Sequence, residues 1–152
     1  MNNQVDNQTF YKKAFSKGKG DARRVQTRLA TLTAELGAVK TEMNELVEEF
    51  NTTYRAPRVA HLRILNRNPC PIMYWRMPGV RGKQPFIQLF QCKRGRGILD
   101  GLSVPIIKMF YVFEEQRLAL NLMASVIGNE IAAINRYIDG HGEAKHYVVA
   151  VQ

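Results

Sequence analysis

The stretch VQTRLATLTAELGAVKTEMNELVEEF, residues 25–50, decides how the rest of the chain is read. Its apolar residues Val25, Leu29, Leu32, Leu36, Val39, Met43, Leu46 and Phe50 succeed one another at alternating steps of four and three. Such steps line one stripe of a helix, and a stripe this long without a miss predicts a rod packed against another helix. Outward from it, Asp21 offers an N-cap whose carboxylate suits the positive end of the helix dipole. Arg55-Ala-Pro57 closes the rod, because proline drives its predecessor out of helical space. A first helix is therefore expected over 21–52. Gly37 inside it costs about 1 kcal/mol relative to Ala. It marks either the close approach of a neighbour or a tolerated glycine.

A second seam follows the same rule: Ile106, Phe110, Phe113, Arg117, Leu120, Ala124, Ile127, Ile131, Ile134 and Ile138. Ser103 is its candidate N-cap, Pro105 fits the first turn, and Asp139-Gly140 is a stop signal, so a second helix is expected over 103–139. Leu118, Leu122, Val126 and Ala133 widen its apolar face, which predicts cover on more than one side and hence a homodimer with a four-helix arrangement. Two matched seams joined by a compact unit predict an antiparallel helical hairpin. Aligning Phe50 with Ile106 sets Arg117 opposite Val39, where Glu35 or Glu42 could pair with it, or its head could reach water. Gly128 is a place where the helix could bend.

Between the seams lie three strand candidates: Val59–Leu65, Ile72–Met77 and Phe86–Cys92. The breakers Asn68-Pro-Cys-Pro71 and Pro78-Gly-Val-Arg-Gly82 separate them. Short connections predict a three-stranded antiparallel meander over 58–93. Centring the second turn on Arg81 puts Met73, Trp75, Met77, Ile87 and Leu89 on one face. The other face receives Tyr74, Arg76, Phe86, Gln88 and Phe90, joined by His61 and Arg63 from the first strand. The same register sets Cys70 opposite Cys92. A last strand is expected over 145–151, paired with the N-terminal tail, with another subunit, or with the main sheet if Gly128 breaks the helix. The fold class is thus α+β: a basic tail over 1–20, then a single domain over 21–152.

Charge gives the functional direction. The chain carries a net +9 and a pI near 9.8. No acidic residue lies between Glu49 and Asp100, an interval that holds Arg55, Arg58, Arg63, Arg67, Arg76, Arg81, Lys83, Lys93, Arg94 and Arg96. A second basic cluster, Lys12, Lys13, Lys17, Lys19, Arg23, Arg24 and Arg28, precedes the acidic half of the first helix. Segregation of this kind is an electrostatic footprint for phosphates. The candidate contacts are Arg58, Arg63, Arg67, Arg76, Arg81 and Lys83, with Tyr74 and Phe86 able to stack on bases. Lys93, Arg94 and Arg96 form a second candidate contact in Lys93-Arg-Gly-Arg-Gly97, where glycines admit backbone amides to an anion and the helix near Ser103 adds a positive end. A β-ribbon entering a major groove would use the same arginines. The competing reading is a protein-interaction module, an assembly subunit or inhibitor, whose basic face docks an acidic partner.

Other classes are disfavoured. Two cysteines cannot build a disulfide framework, and no Cys-x-x-Cys or His-x-His spacing supports a metal, so no metal or cofactor is expected. No signal peptide opens the sequence and no apolar run reaches transmembrane length, which predicts a cytoplasmic protein. No Ser-His-Asp order, paired carboxylate cluster or nucleophile elbow stands out, and a non-catalytic protein is expected. An enzyme would require a polar pocket holding His61 or Arg117 with a carboxylate.

With Tyr74-Trp-Arg76, Gly79, Gly82-Lys83 and a following strand, then Pro105 and a heptad helix, the chain resembles a loose group of small coiled-coil proteins with an aromatic β-hairpin. Members are encoded beside transposases and conjugation genes on bacterial mobile elements. The likeness spans the architecture from about Arg24 to Tyr137. Many members carry a cysteine-rich segment before the hairpin, and here that place holds only Cys70.

Overall fold

A computed structural model describes residues 21–79 and 85–151. Its elements are α1 (Asp21–Thr53), β1 (His61–Leu65), β2 (Ile72–Arg76), β3 (Phe86–Ile87), α2 (Lys93–Leu99) and α3 (Val104–Ala150). The protein is therefore α+β, and its described residues form three helices and a three-stranded antiparallel sheet in the order β1-β2-β3. The described residues group into two compact units, one within 36–129 and the other combining 21–35 with 130–151.

In the Leu36–Asn129 unit the seam positions of α1 and α3 turn inward. Met43, Phe50, Phe110 and Ala124 are completely buried and meet Leu62, Met73 and Trp75 from the sheet. The centre is aromatic. Phe50 meets Trp75 edge-on at 5.2 Å and Phe113 at 5.2 Å, and Trp75 lies 5.4 Å from Phe110. Offset and edge-on rings of this kind add to the large area each ring removes from water.

A chain of polar contacts fixes the sheet on α3. Glu114 is only 2% exposed, and its carboxylate accepts hydrogen bonds from Trp75 Nε1 at 2.6 Å, Gln91 Nε2 at 3.0 Å, and Arg117 Nε and Nη2 at 2.7 and 2.8 Å. Arg117 Nη1 also donates to the Met73 carbonyl at 3.1 Å. Asn121 completes the set: its Oδ1 accepts from the Met73 amide at 2.7 Å, and its Nδ2 donates to the Met73 carbonyl at 2.8 Å. The reason lies in strand length. β3 pairs only with Trp75 and Arg76. Two residues further back, the Met73 backbone is bonded by side chains of α3, which stand in for a strand.

Several expectations are corrected. Arg117 pairs with Glu114 of its own helix, and neither Glu35 nor Glu42 serves it. The third strand ends at Ile87, far short of Cys92. Beyond it the chain turns, with the Cys92 amide donating to the Gln88 carbonyl at 3.1 Å, and Cys92 caps α2 by accepting from the Gly95 amide at 3.3 Å. Gly95 is required there, because a Cβ would sit 2.4 Å from the Leu89 carbonyl oxygen. Lys93-Arg-Gly-Arg-Gly97 is thus a short helix and not a loop. The expected strand over 145–151 is helical through Ala150, and α3 passes Gly128 and Asp139-Gly140 unbroken. Neither Gly140 nor Gly142 takes the left-handed backbone that ends a helix, so each only weakens it.

Gly128 has another use. A Cβ there would lie 2.7 Å from the Cys70 Cβ and 3.1 Å from the Pro69 carbonyl oxygen, so it is where the turn before β2 rests on α3. Gly37, by contrast, has open space around it. In the second unit, Val25, Leu32 and Ile134 are buried, and Arg28 forms a two-point ion pair with Glu130 at 2.9 and 3.1 Å.

The outer side of α3 is less covered than its apolar face suggests, since Leu118, Leu122 and Val126 are exposed. α3 is also longer than the helix expected over 103–139. At 47 residues, with an 18-residue window of mean hydropathy 1.3 that is 22% buried, it is long and apolar enough to cross a membrane by those two measures.

These contacts predict opposite outcomes for two helix glycines. Gly37→Ala should raise stability by up to about 1 kcal/mol, whereas Gly128→Ala should lower it, both read by urea denaturation. Glu114→Gln, which leaves Arg117 buried without its counter-charge, should cost about 3 kcal/mol or more.

Candidate functional site

The sheet has one face in the core and one facing outward, and the register decides which residues share the outer one. His61 lies opposite Arg76, which lies opposite Phe86, while Arg63 lies opposite Tyr74. The β2–β3 pairing is the one centred on Arg81, as the turn chemistry predicted. Alternation along each strand then sends Leu62, Met73, Trp75 and Ile87 into the core. His61, Arg63, Tyr74, Arg76 and Phe86 remain together outside.

Two rings sit among these charges. Tyr74 and Phe86 are in contact, with centroids 4.1 Å apart and planes inclined by 53°. Tyr74 is half-buried, but Phe86 is 64% exposed despite its size. Arg63 is exposed beside them, and Arg76 is half-buried. The local potential is visible in His61, whose pKa is held below 6.5, first by partial burial and then by the positive charges of Arg63, Arg58 and Arg76. A cationic side chain is disfavoured on a face already this positive, and an anion would be favoured there.

Other predicted residues are placed elsewhere. Arg58 is bound to the end of α1, donating from Nε to the Tyr54 carbonyl and from Nη2 to the Asn51 carbonyl at 2.8 Å. This satisfies helix carbonyls that otherwise lack partners and puts a cation at the negative end of the dipole. Arg67 is exposed in the turn after β1. Lys93, Arg94 and Arg96 are exposed on α2, an element separate from the sheet face, and a helix of seven residues offers no anion cradle of the kind expected from a glycine loop. Arg81 and Lys83, and the basic tail over 1–20, lie outside the described residues. Phe90 leaves the outer face altogether and stacks edge-on against Tyr111 of α3 at 6.0 Å.

Sequence reasoning missed Glu114, Gln91 and Asn121. The signal available was Trp75: a buried indole needs an acceptor for its N–H, and no acidic residue is near it in sequence. Burial pushes the Glu114 carboxyl upward, but hydrogen bonds from Arg117, Gln91 and Trp75 and the Arg117 charge outweigh it and hold the group below 4.5. Its bonds to Trp75 and Gln91 tie the segment before α2 to α3. The two cysteines do not face each other across the sheet, since one rests on α3 and the other caps α2. Among the described residues no three His, Cys, Asp or Glu side chains come together as a metal site.

No protein-family model, curated protein or solved structure matches this chain.

The depressed His61 pKa carries a stability prediction. The unfolded chain binds a proton at His61 at higher pH than the folded one, so stability should fall as pH drops through about 6.5. Glu114 has the opposite sense of charge and acts lower: its contribution is present above 4.5 and is lost as pH falls through its depressed value. Between pH 7 and 5, His61→Asn should therefore flatten the decline in melting temperature, while Glu114→Gln should leave the slope unchanged.

Proposed function

We propose that this protein binds nucleic acid without catalysing a reaction, as an accessory or regulatory factor of the kind carried on bacterial mobile elements. One observation carries the reading. The outer sheet face gathers His61, Arg63 and Arg76 around an aromatic pair, in a segment without an acidic residue from Glu49 to Asp100. Phosphates supply the attraction, released counterions drive binding, and the net charge of +9 steers the encounter. Exposed Arg67 in the turn after β1 extends the contact, and the α2 bases Lys93, Arg94 and Arg96 add to the field; Arg81, Lys83 and the tail lysines belong to the same reading by their charge alone.

The helices serve as the frame. We read α1 and α3 as an antiparallel hairpin within each unit. The Arg28–Glu130 pair supports this in one unit, and the packing of Phe50 on Phe110 and Phe113 supports it in the other. Homodimerisation belongs to the same reading, with the exposed Leu118, Leu122 and Val126 stripe of α3 covered by a second copy. A cytoplasmic setting is favoured over a membrane-spanning α3 by Asn121, whose bonds to Met73 would require the sheet backbone to be carried into the lipid with it.

The same acid-free basic face supports a second reading, a protein-interaction module that docks an acidic partner there. An electrophoretic titration separates the two. Nucleic-acid binding should weaken steeply between 50 and 200 mM salt on the order of the counterion-release slope. Arg63→Glu should weaken it further and reduce the slope of log K against log salt by about one. Absence of any salt-sensitive complex with DNA or RNA would leave the docking module.

A further inference from the structure

The outer face can be taken one step beyond phosphate attraction, to the kind of nucleic acid it selects. We propose that the Tyr74–Phe86 pair is a platform for unpaired bases, so that the ligand is single-stranded nucleic acid. This rests on the nucleic-acid reading above and adds a property that reading does not require.

Phe86 is the centre of the platform. A phenylalanine on a sheet is ordinarily covered, and this one belongs to a two-residue edge strand with 64% of its surface open. It is not needed to fill the core, which is closed by its neighbour Ile87 on the opposite face. Contact with Tyr74 at 4.1 Å holds the ring in place, so a base that stacks on it meets a surface whose rotamer is already restricted. The flanking side chains are the ones a single strand requires. Arg76 lies directly beside Phe86 in the register, with His61 and Arg63 one strand further out. Adjacent strands are about 4.8 Å apart, so charge and ring are separated by roughly 5–10 Å across the sheet. A nucleic-acid strand laid across β1 to β3 can set phosphates over the arginines and turn a base onto the rings.

A duplex fits the same surface poorly. Its bases are stacked on one another and present only their edges, so Phe86 gains no ring to cover. The other duplex mode, a β-ribbon inserted in the major groove, needs a projecting two-stranded arm. Among the described residues β2 and β3 pair at Trp75–Ile87 and Arg76–Phe86, with one further bond from the Met77 amide to the Pro85 carbonyl at 3.1 Å, and the inner face of both strands is committed to the core. The exposed rings therefore discriminate in favour of open strands, while the arginines serve either form.

The test compares a fluorescein-labelled 20-nucleotide single strand with a blunt duplex of the same sequence by anisotropy, using the full-length protein. The single strand should bind about tenfold or more tightly. Phe86→Ala should remove about tenfold of its affinity and leave duplex affinity unchanged, whereas Arg63→Glu should weaken both. Because Phe86 is exposed, the alanine variant should keep the wild-type melting temperature. Phe86→Trp gives an independent measurement, since its added indole fluorescence should be quenched by the single strand and not by the duplex. Equal affinity for both forms, or an unquenched tryptophan in a saturated single-strand complex, would overturn the platform while leaving phosphate binding in place. Failure of both nucleic acids to bind would instead remove the nucleic-acid reading itself.

Discussion

The bonds from α3 to the Met73 backbone are the constraint on which the sheet depends. A strand buried on one face must also satisfy its backbone N–H and C=O groups along each edge. β3 does this for β2 at Trp75 and Arg76 and then stops. Asn121 and Arg117 take over at Met73, and Glu114 holds both Arg117 and the Trp75 indole. Together with Trp75 and Met73, these α3 side chains fix the height and rotation of the sheet on the helix. A purely apolar contact would leave both softer, since hydrophobic attraction has no direction.

That network also accounts for charge separation between the two faces. The sheet segment contains no carboxylate of its own, so its one buried acceptor for Trp75 comes from α3 on the inner side. The outer side gathers Arg63 and Arg76 in a segment that contributes no acidic residue. His61 has a lowered proton affinity, first from partial burial and then from Arg63, Arg58 and Arg76. A fold that had placed Glu114 on the sheet itself would have put a negative charge within a few ångströms of the candidate phosphate contacts.

Arg58 shows how a charge can contribute without touching a ligand. Its guanidinium is engaged by the Tyr54 and Asn51 carbonyls at the end of α1, yet its charge still bears on His61. Basic residues in this protein therefore divide by what already holds them. Arg63 and Arg67 are exposed on the sheet and its turn, while Lys93, Arg94 and Arg96 ride on α2.

Periodicity alone determined a good deal. The four-three stripes located α1 and most of α3, and alternation with the Arg81-centred turn gave the β2–β3 register, because side-chain direction follows backbone geometry wherever one face is buried. Local signals failed where a contact distant in sequence outweighed them. Gly140 resembled a helix stop, but with ordinary helical backbone it merely weakens the helix that runs on to Ala150. Phe86–Cys92 has strand-like composition, yet Gly95 must pack against Leu89 and Cys92 must cap α2, so pairing ends at Ile87. Gly128 is a candidate bend in the sequence, yet α3 passes through it unbroken and Cys70 rests on it. Glu114, Gln91 and Asn121 were invisible for the same reason: hydrogen-bond partners far apart in sequence are set by where the chain returns, and only the tertiary structure decides that. The sequence by itself determined that an aromatic, acid-free sheet would exist; the fold decided that Trp75 faces a buried carboxylate and Phe86 faces outward.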